Sequence, residues 1–141
     1  MHVDLLATAD LPRILPAVAY LNPGVPEALL AERLETMTGQ GYRCAAALEG
    51  DEIVGVCGIW VTTRLYCGLQ VEADNVVVLP EARSRGVGRA LMAWVYRYAR
   101  SIGCETVELN AYLANLRAHE FYRADGFDVL GYHFQKKLAD G

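Results

Sequence analysis

The sequence predicts an α/β (α+β) fold: a mixed, mostly antiparallel sheet of six or seven strands flanked by about four helices. Three observations lead there. Two apolar-rich runs, 42–48 and 52–63, are separated only by a tight turn at Gly50-Asp51, the spacing of an antiparallel hairpin. Strand and helix patterns alternate in the second half of the chain, which calls for covered, parallel pairing. Between these halves, Val76-Val77-Val78-Leu79 is apolar at consecutive positions, as in a strand covered on both faces.

The elements follow in order. Val3 to Ala7 suits a short strand. Asp10 reads as an N-cap and Pro12 as a first-turn residue of a helix running to about Tyr20, where Asn22-Pro23-Gly24 breaks it. Pro26 opens a second helix with Leu29, Leu30, Leu34 and Met37 at helical spacing, closed by Gly39 and Gly41. After the hairpin, a turn near Tyr66-Cys67-Gly68 leads into a long strand from Leu69 to Leu79, ended by Pro80. The next helix carries Leu91, Val95, Tyr98, Ala99 and Ile102 on one face and stops at Gly103. Thr106 to Ala111 is a strand. Asn115 caps a short helix that runs to Ala124 and stops at Asp125-Gly126, and Phe127 to Leu138 holds one or two closing strands around Gly131.

The chain has 141 residues, which suits a single domain spanning 1–141. At 53% hydrophobic it can bury a core without disulfides or a structural metal. A net charge of −4 argues against a nucleic-acid partner, which calls for a basic excess. Apolar stretches fall short of the roughly 18 residues of a membrane span, and the first residues lack the basic and long apolar regions of a signal peptide. The cysteines at 44, 57, 67 and 104 show no C-x-x-C spacing, and the histidines at 2, 119 and 133 complete no zinc pattern. The expectation is a cytoplasmic protein with reduced, mostly buried thiols and no metal site.

Chemistry concentrates in Arg83-Ser84-Arg85-Gly86-Val87-Gly88, between a buried strand and a helix. The first turn of a helix has backbone N–H groups without intrahelical acceptors. Glycines there leave room for a ligand and adopt unusual backbone angles. Such consecutive amides make an anion-binding concavity that the helix dipole strengthens. Arg83, Arg85 and Arg89 add positive charge in an otherwise acidic chain. This combination implies a phosphate or diphosphate site. A P-loop needs Gly-Lys-Ser/Thr, but no lysine precedes Lys136, and the dinucleotide pattern G-x-G-x-x-G fails at Leu91.

Arg83-x-x-Gly86-x-Gly88, after a valine-rich strand and opening a helix, resembles the acyl-CoA-binding motif of the GNAT superfamily of N-acetyltransferases. Asn115-x-x-Ala118-x-x-Phe121-Tyr122, ending in Gly126-Phe127, resembles the same family's later motif. The resemblance runs from about residue 42 to the C-terminus, and the two early helices match the family's order.

The resemblance implies a sheet whose central strands splay apart after Val78, with acetyl-CoA as co-substrate. It places the diphosphate on the amides of Arg85, Gly86, Val87, Gly88 and Arg89, with Arg83 and Ser84 in the same loop. The pantetheine arm would pair with backbone groups of Val76, Val77 and Val78, an unpaired strand edge offering partners to buried amides. Asn115 would contact the coenzyme arm and Tyr122 would lie near its sulfur. These two are seven residues apart and share a helix face, with the small Ala118 between them.

Direct transfer of an acetyl group to an amine needs a neutral amine, and hence a base, because primary amines near pKa 10 are mostly protonated at pH 7. Glu72 and Asp74, two apart on one strand, share a face. Glu72 is the first candidate base, since some relatives carry a catalytic glutamate eleven residues before the loop arginine. The amide of Val77 or Val78 would stabilise the oxyanion, and Tyr122 would protonate the leaving thiolate. On the acceptor side stand Tyr20, Trp60, Arg64, Tyr66, Tyr112, Tyr132 and His133. The aromatics and carboxylates suit a cationic amine, whereas Arg64 suits an acceptor bearing a carboxylate. A small-molecule amine is the expected partner, and an exposed hydrophobic strand would permit a homodimer. The competing reading is a non-catalytic acyl-CoA sensor of the same fold.

Overall fold

The computed structural model describes residues 1–138, as two compact units: Met1–Leu109, and the chain from Asn110 onward. In the first, β2 (Arg43–Glu49) and β3 (Glu52–Arg64) form the hairpin, with Gly50 in the left-handed region at φ 63°. Outside β2 lies β1 (His2–Leu5), antiparallel to it. On the other side β3 pairs antiparallel with β4 (Gly68–Val78). The sheet order is β1-β2-β3-β4-β5, and only β4 and β5 (Thr106–Leu109) are parallel. Their connection is α3 (Val87–Ser101), as a parallel pair requires.

Among the described residues the sheet therefore has five strands rather than six or seven. Phe127 to Leu138, expected to hold closing strands, form none. A strand exists only with a ladder partner, and apolar residues around a glycine do not supply one.

Each face of the sheet is covered. On one side lie a 3-10 segment (Thr8–Ile14), α1 (Leu15–Ala19) and α2 (Glu27–Gly39). Leu11, Ile14, Val18 and Leu34 pack there with Tyr42, Cys44, Val56 and Val77. On the other side α3 buries Val87, Leu91, Met92, Val95 and Ala99, a stripe at i, i+4, i+5, i+8 and i+12. Ile102, expected on that stripe, is exposed because it caps the helix after its last turn. Asp10 is no N-cap. The 3-10 segment begins after Ala7 with no side-chain cap, so Asp10 and Pro12 lie inside it. Cys44 and Cys57 are buried and Cys67 and Cys104 half-buried, all as free thiols. Burial, the largest cause, pushes the Cys44 thiol up to about 12, which keeps it an inert apolar group.

Two glycines of β3 permit this packing. A Cβ on Gly55 would stand 2.8 Å from Val87 Cγ1 of α3, and one on Gly58 would collide with the Tyr42 hydroxyl and lie 2.6 Å from the Asp74 carbonyl oxygen. Backbone oxygen in a ladder cannot withdraw, so Gly58→Ala is expected to cost about 3 kcal/mol, the upper end of overpacking. Urea titration would read this as a lower midpoint with unchanged slope. An unaltered midpoint would refute the contact.

In the second unit α4 (Leu116–Ala124) starts at Asn115, whose Oδ1 accepts from the Ala118 amide at 3.1 Å. It ends at Asp125 and Gly126, the latter at φ 93°.

Candidate functional site

Pairing between β4 and β5 ends at Ala73 opposite Leu109, yet β4 continues to Val78. Beyond Ala73 its outer edge has no partner strand among the described residues. Strand alternation decides which groups face that edge. The Leu79 amide donates to the Val54 carbonyl of β3 at 2.9 Å, so the Val77 amide also faces β3 while those of Val76 and Val78 face outward. The Val77 side chain lies in the core among Tyr42 and Val56. Of the two amides proposed to stabilise an oxyanion, geometry therefore leaves Val78. Val76 and Val78 are only half-buried, so the expectation of two covered faces holds for Val77 alone.

After β4 a short 3-10 turn, Pro80–Ala82, leads into the loop. Ser84 stands at φ 65° and Gly86 at φ 78°, both left-handed. Gly86 is the N-cap of α3, with nothing within 4 Å of the place its Cβ would occupy. The first bond closing the helix runs from the Ala90 amide to the Gly86 carbonyl at 3.0 Å. Among the described residues, the amides of Arg85, Gly86, Val87, Gly88 and Arg89 have no backbone or side-chain acceptor. Val87, the first residue of α3, anchors the turn by burying its side chain toward Gly55 of β3, and a Cβ on Gly88 would stand 3.8 Å from Val78 Cγ2, so helix and strand edge come close together.

The arginines differ. Arg85 pairs with Glu49 at 2.9 Å, and Arg83 Nε donates to the Val78 carbonyl at 3.5 Å. Arg89 is exposed and has no ion pair among the described residues. Five unspent amides at a helix N-terminus, under positive charge, fit a diphosphate.

Glu72 and Asp74 do share a face of β4. Glu72 lies opposite Trp60 of β3 and Glu108 of β5, and Trp60 Nε1 donates to Asp74 Oδ2 at 3.1 Å. Asp74 Oδ1 also accepts the Asn75 amide at 2.9 Å. Asp74 is thus held in place by two donors, whereas Glu72 has none among the described residues. Glu108 accepts from the Tyr66 hydroxyl at 2.6 Å, and that hydrogen bond, the largest cause, pushes the exposed Tyr66 phenol up to about 12. Tyr20 and Arg64 are exposed and belong to α1's end and β3.

In the second unit, Asn115 spends its side-chain oxygen on its cap. Tyr122 lies on α4, its ring edge-on to Phe121 and Phe127 at 5.3 and 5.4 Å. Tyr112 and His133 lie outside helices and strands, as does Tyr132, whose ring stands 6.4 Å from Phe134. His119 bonds the Tyr112 carbonyl at 2.9 Å. No cluster of three or more His, Cys, Asp or Glu among the described residues could hold a metal, and no helix there is long and apolar enough to cross a membrane.

A model of the acetyltransferase (GNAT) family matches residues 13–127. The chain belongs to the GNAT family. Aminoalkylphosphonate N-acetyltransferase of Salmonella typhimurium strain LT2 is 32% identical over 93 residues, 65% of this chain, and the chain spans 60% of that relative's length. Among solved structures, ribosomal-protein-alanine N-acetyltransferase from Brucella melitensis superposes with a TM-score of 0.82 at 17% identity, covering 97% of this chain and 99% of that one. Aminoglycoside N-acetyltransferase AAC(6')-Iy in complex with CoA gives 0.78 at 21% identity, covering 98% and 96%. At these identities the two superpositions establish the fold. The mixed sheet and its flanking helices are those of GNAT proteins.

Sequence reasoning missed Asn75, Tyr42 and Glu108. Asn75 is recognisable only by its φ of 53°, where β4 bulges opposite β3. Tyr42 reads as an ordinary strand residue, yet it is fully buried and donates to Asn75 Oδ1 at 3.0 Å across 33 residues of chain.

Proposed function

We propose that the chain, as one domain, transfers the acetyl group of acetyl-CoA directly to an amine of a small molecule. The observation that carries this is the row of unspent amides from Arg85 to Arg89 beside the open edge of β4, in a GNAT chain. The fit is chemical. A diphosphate supplies the acceptors that five helix-terminal N–H groups lack, and Gly86 leaves open the space a side chain would fill. The outward N–H and C=O groups of Val76 match an amide of a pantetheine arm, which leaves the Val78 N–H for the acyl group. Bound there, acetyl-CoA supplies an activated thioester carbon.

The chain's residues then divide the work. Glu72, free of other donors, takes a proton from the ammonium, directly or through water. Asp74, held in place by Trp60, draws the positive charge in. The Val78 amide offers its hydrogen to the acyl oxygen as negative charge develops there, an interaction worth about 3 kcal/mol when the donor is preorganised. Tyr122 donates a proton to the departing sulfur. Asn115, already committed to its helix cap, positions α4. A small-molecule acceptor is supported by the curated relative that acts on aminoalkylphosphonates.

Thiol release from acetyl-CoA in the presence of single amines tests this. The expected result is turnover with at least one small amine together with heat of acetyl-CoA binding in calorimetry. Binding without turnover on any amine would instead make the protein a sensor. No binding by folded protein would end the coenzyme reading altogether.

A further inference from the structure

A cleft of about 140 Å³ opens in the first unit between α1, α2 and β4. Its inner wall is apolar, with Ile14, Val18 and Leu34 buried beneath it. Four polar side chains, Asn22, Arg33, Tyr42 and Asn75, complete it, and their hydrogen bonds decide what it can accept. Asn22 Nδ2 donates to the Val18 carbonyl at 2.9 Å, which leaves its Oδ1 as the one side-chain amide acceptor toward the cleft. Tyr42 donates its hydroxyl hydrogen to Asn75 Oδ1 at 3.0 Å. Burial, with the nearby Cys44 thiol and the Asp74 charge, pushes the phenol far above its ordinary value, so it keeps that hydrogen. Asn75 is thereby oriented with its Nδ2 hydrogens unspent among the described residues.

Arg33, one turn along α2 from Leu30 and Met37, lines the same cleft. Among the described residues it makes no ion pair and no hydrogen bond, and no carboxylate lines the cleft. The cleft therefore offers a surplus of donors and one uncompensated positive charge. Beside it along β4, directly before Asn75, stands Asp74 with its carboxylate, and Glu72 lies two residues further back on the same face.

We propose that this cleft selects acceptors carrying an anionic group, a carboxylate or phosphonate, which it binds through Arg33 and Asn75 Nδ2 while the ammonium lies toward Asp74 and Glu72. The proposal names the substrate class of the acetyl transfer above and rests on that reading. A planar guanidinium and an amide N–H₂ supply the donor-rich pairing that carboxylate and phosphonate oxygens need. Separated opposite charges on the protein favour an amphoteric ligand over a purely cationic amine, which would meet Arg33 unscreened.

Calorimetry with β-alanine, aminomethylphosphonate and propylamine separates the outcomes, using the native protein, Arg33→Gln and Arg33→Glu. Arg33 is exposed, so neither substitution disturbs the core. Native protein should bind the two anionic amines more tightly than propylamine. Arg33→Gln should weaken both about tenfold, Arg33→Glu should weaken them further, and acetyl-CoA affinity should not change. Equal affinity for all three amines, or anionic amines indifferent to Arg33, would overturn the proposal. Thiol release on the same samples reports on the parent reading. Arg33-dependent binding with no thiol release would reject acetyl transfer and leave the cleft's selectivity standing. Thiol release indifferent to Arg33 would do the reverse.

Discussion

If the proposed diphosphate site is right, acetyl-CoA affinity should fall about a hundredfold when Gly86 is replaced by aspartate, the loss of about two charge-assisted hydrogen bonds. Gly86 caps α3 at φ 78°, and the space beyond its Cα is open. An aspartate there meets no steric obstacle. It adopts a left-handed conformation at a cost of about 1–2 kcal/mol, which the fold tolerates. Its carboxylate then caps the Gly88 and Arg89 amides and repels the diphosphate. Gly86→Ala carries the same backbone cost without the charge, and should lose far less affinity. Calorimetry on both variants distinguishes the contributions. If the aspartate variant binds acetyl-CoA as the native protein does, the diphosphate sits elsewhere.

Tyr122→Phe should lower kcat about a hundredfold, the low end of general acid catalysis. Relative acidity limits the effect. A phenol near pKa 10 is a weaker acid than the thiol near 8.5 that it creates, so proton transfer helps only as the carbon–sulfur bond breaks. Phenylalanine keeps the edge-on packing with Phe121 and Phe127, so α4 should survive the change. Coenzyme affinity should stay within about twofold, because an unmade proton transfer is a transition-state loss. Equal kcat for the two proteins would remove Tyr122 from the acid role.

Much of the fold was legible because it is local. The turn at Gly50-Asp51 sets the β2–β3 hairpin, the spacing of Leu91, Val95 and Ala99 sets the buried face of α3, and Asn115 caps α4 through its own side chain. The loop at Gly86 was legible for the same reason, since a glycine-rich helix start exposes amides whatever the rest of the chain does. Asp10 failed as a cap because a seven-residue 3-10 segment begins before it, a choice between two helical hydrogen-bond patterns that composition hardly separates. The closing strands at 127–138 failed because apolar and aromatic composition speaks only for a strand's faces, and its edges need a partner.

The sequence by itself determined the hairpin, the amphipathic helices, the glycine-bearing turn that opens α3 and the family, because each rests on residues within a few turns of one another. Only the tertiary structure decided that Val78 rather than Val77 turns its amide outward, that Trp60 holds Asp74, and that Tyr42 orients Asn75 beside an unpaired Arg33. Those outcomes depend on register and on contacts between segments far apart in the chain. A bulge at Asn75 resets the register, and no spacing along the sequence announces which distant side chain will lie across from it.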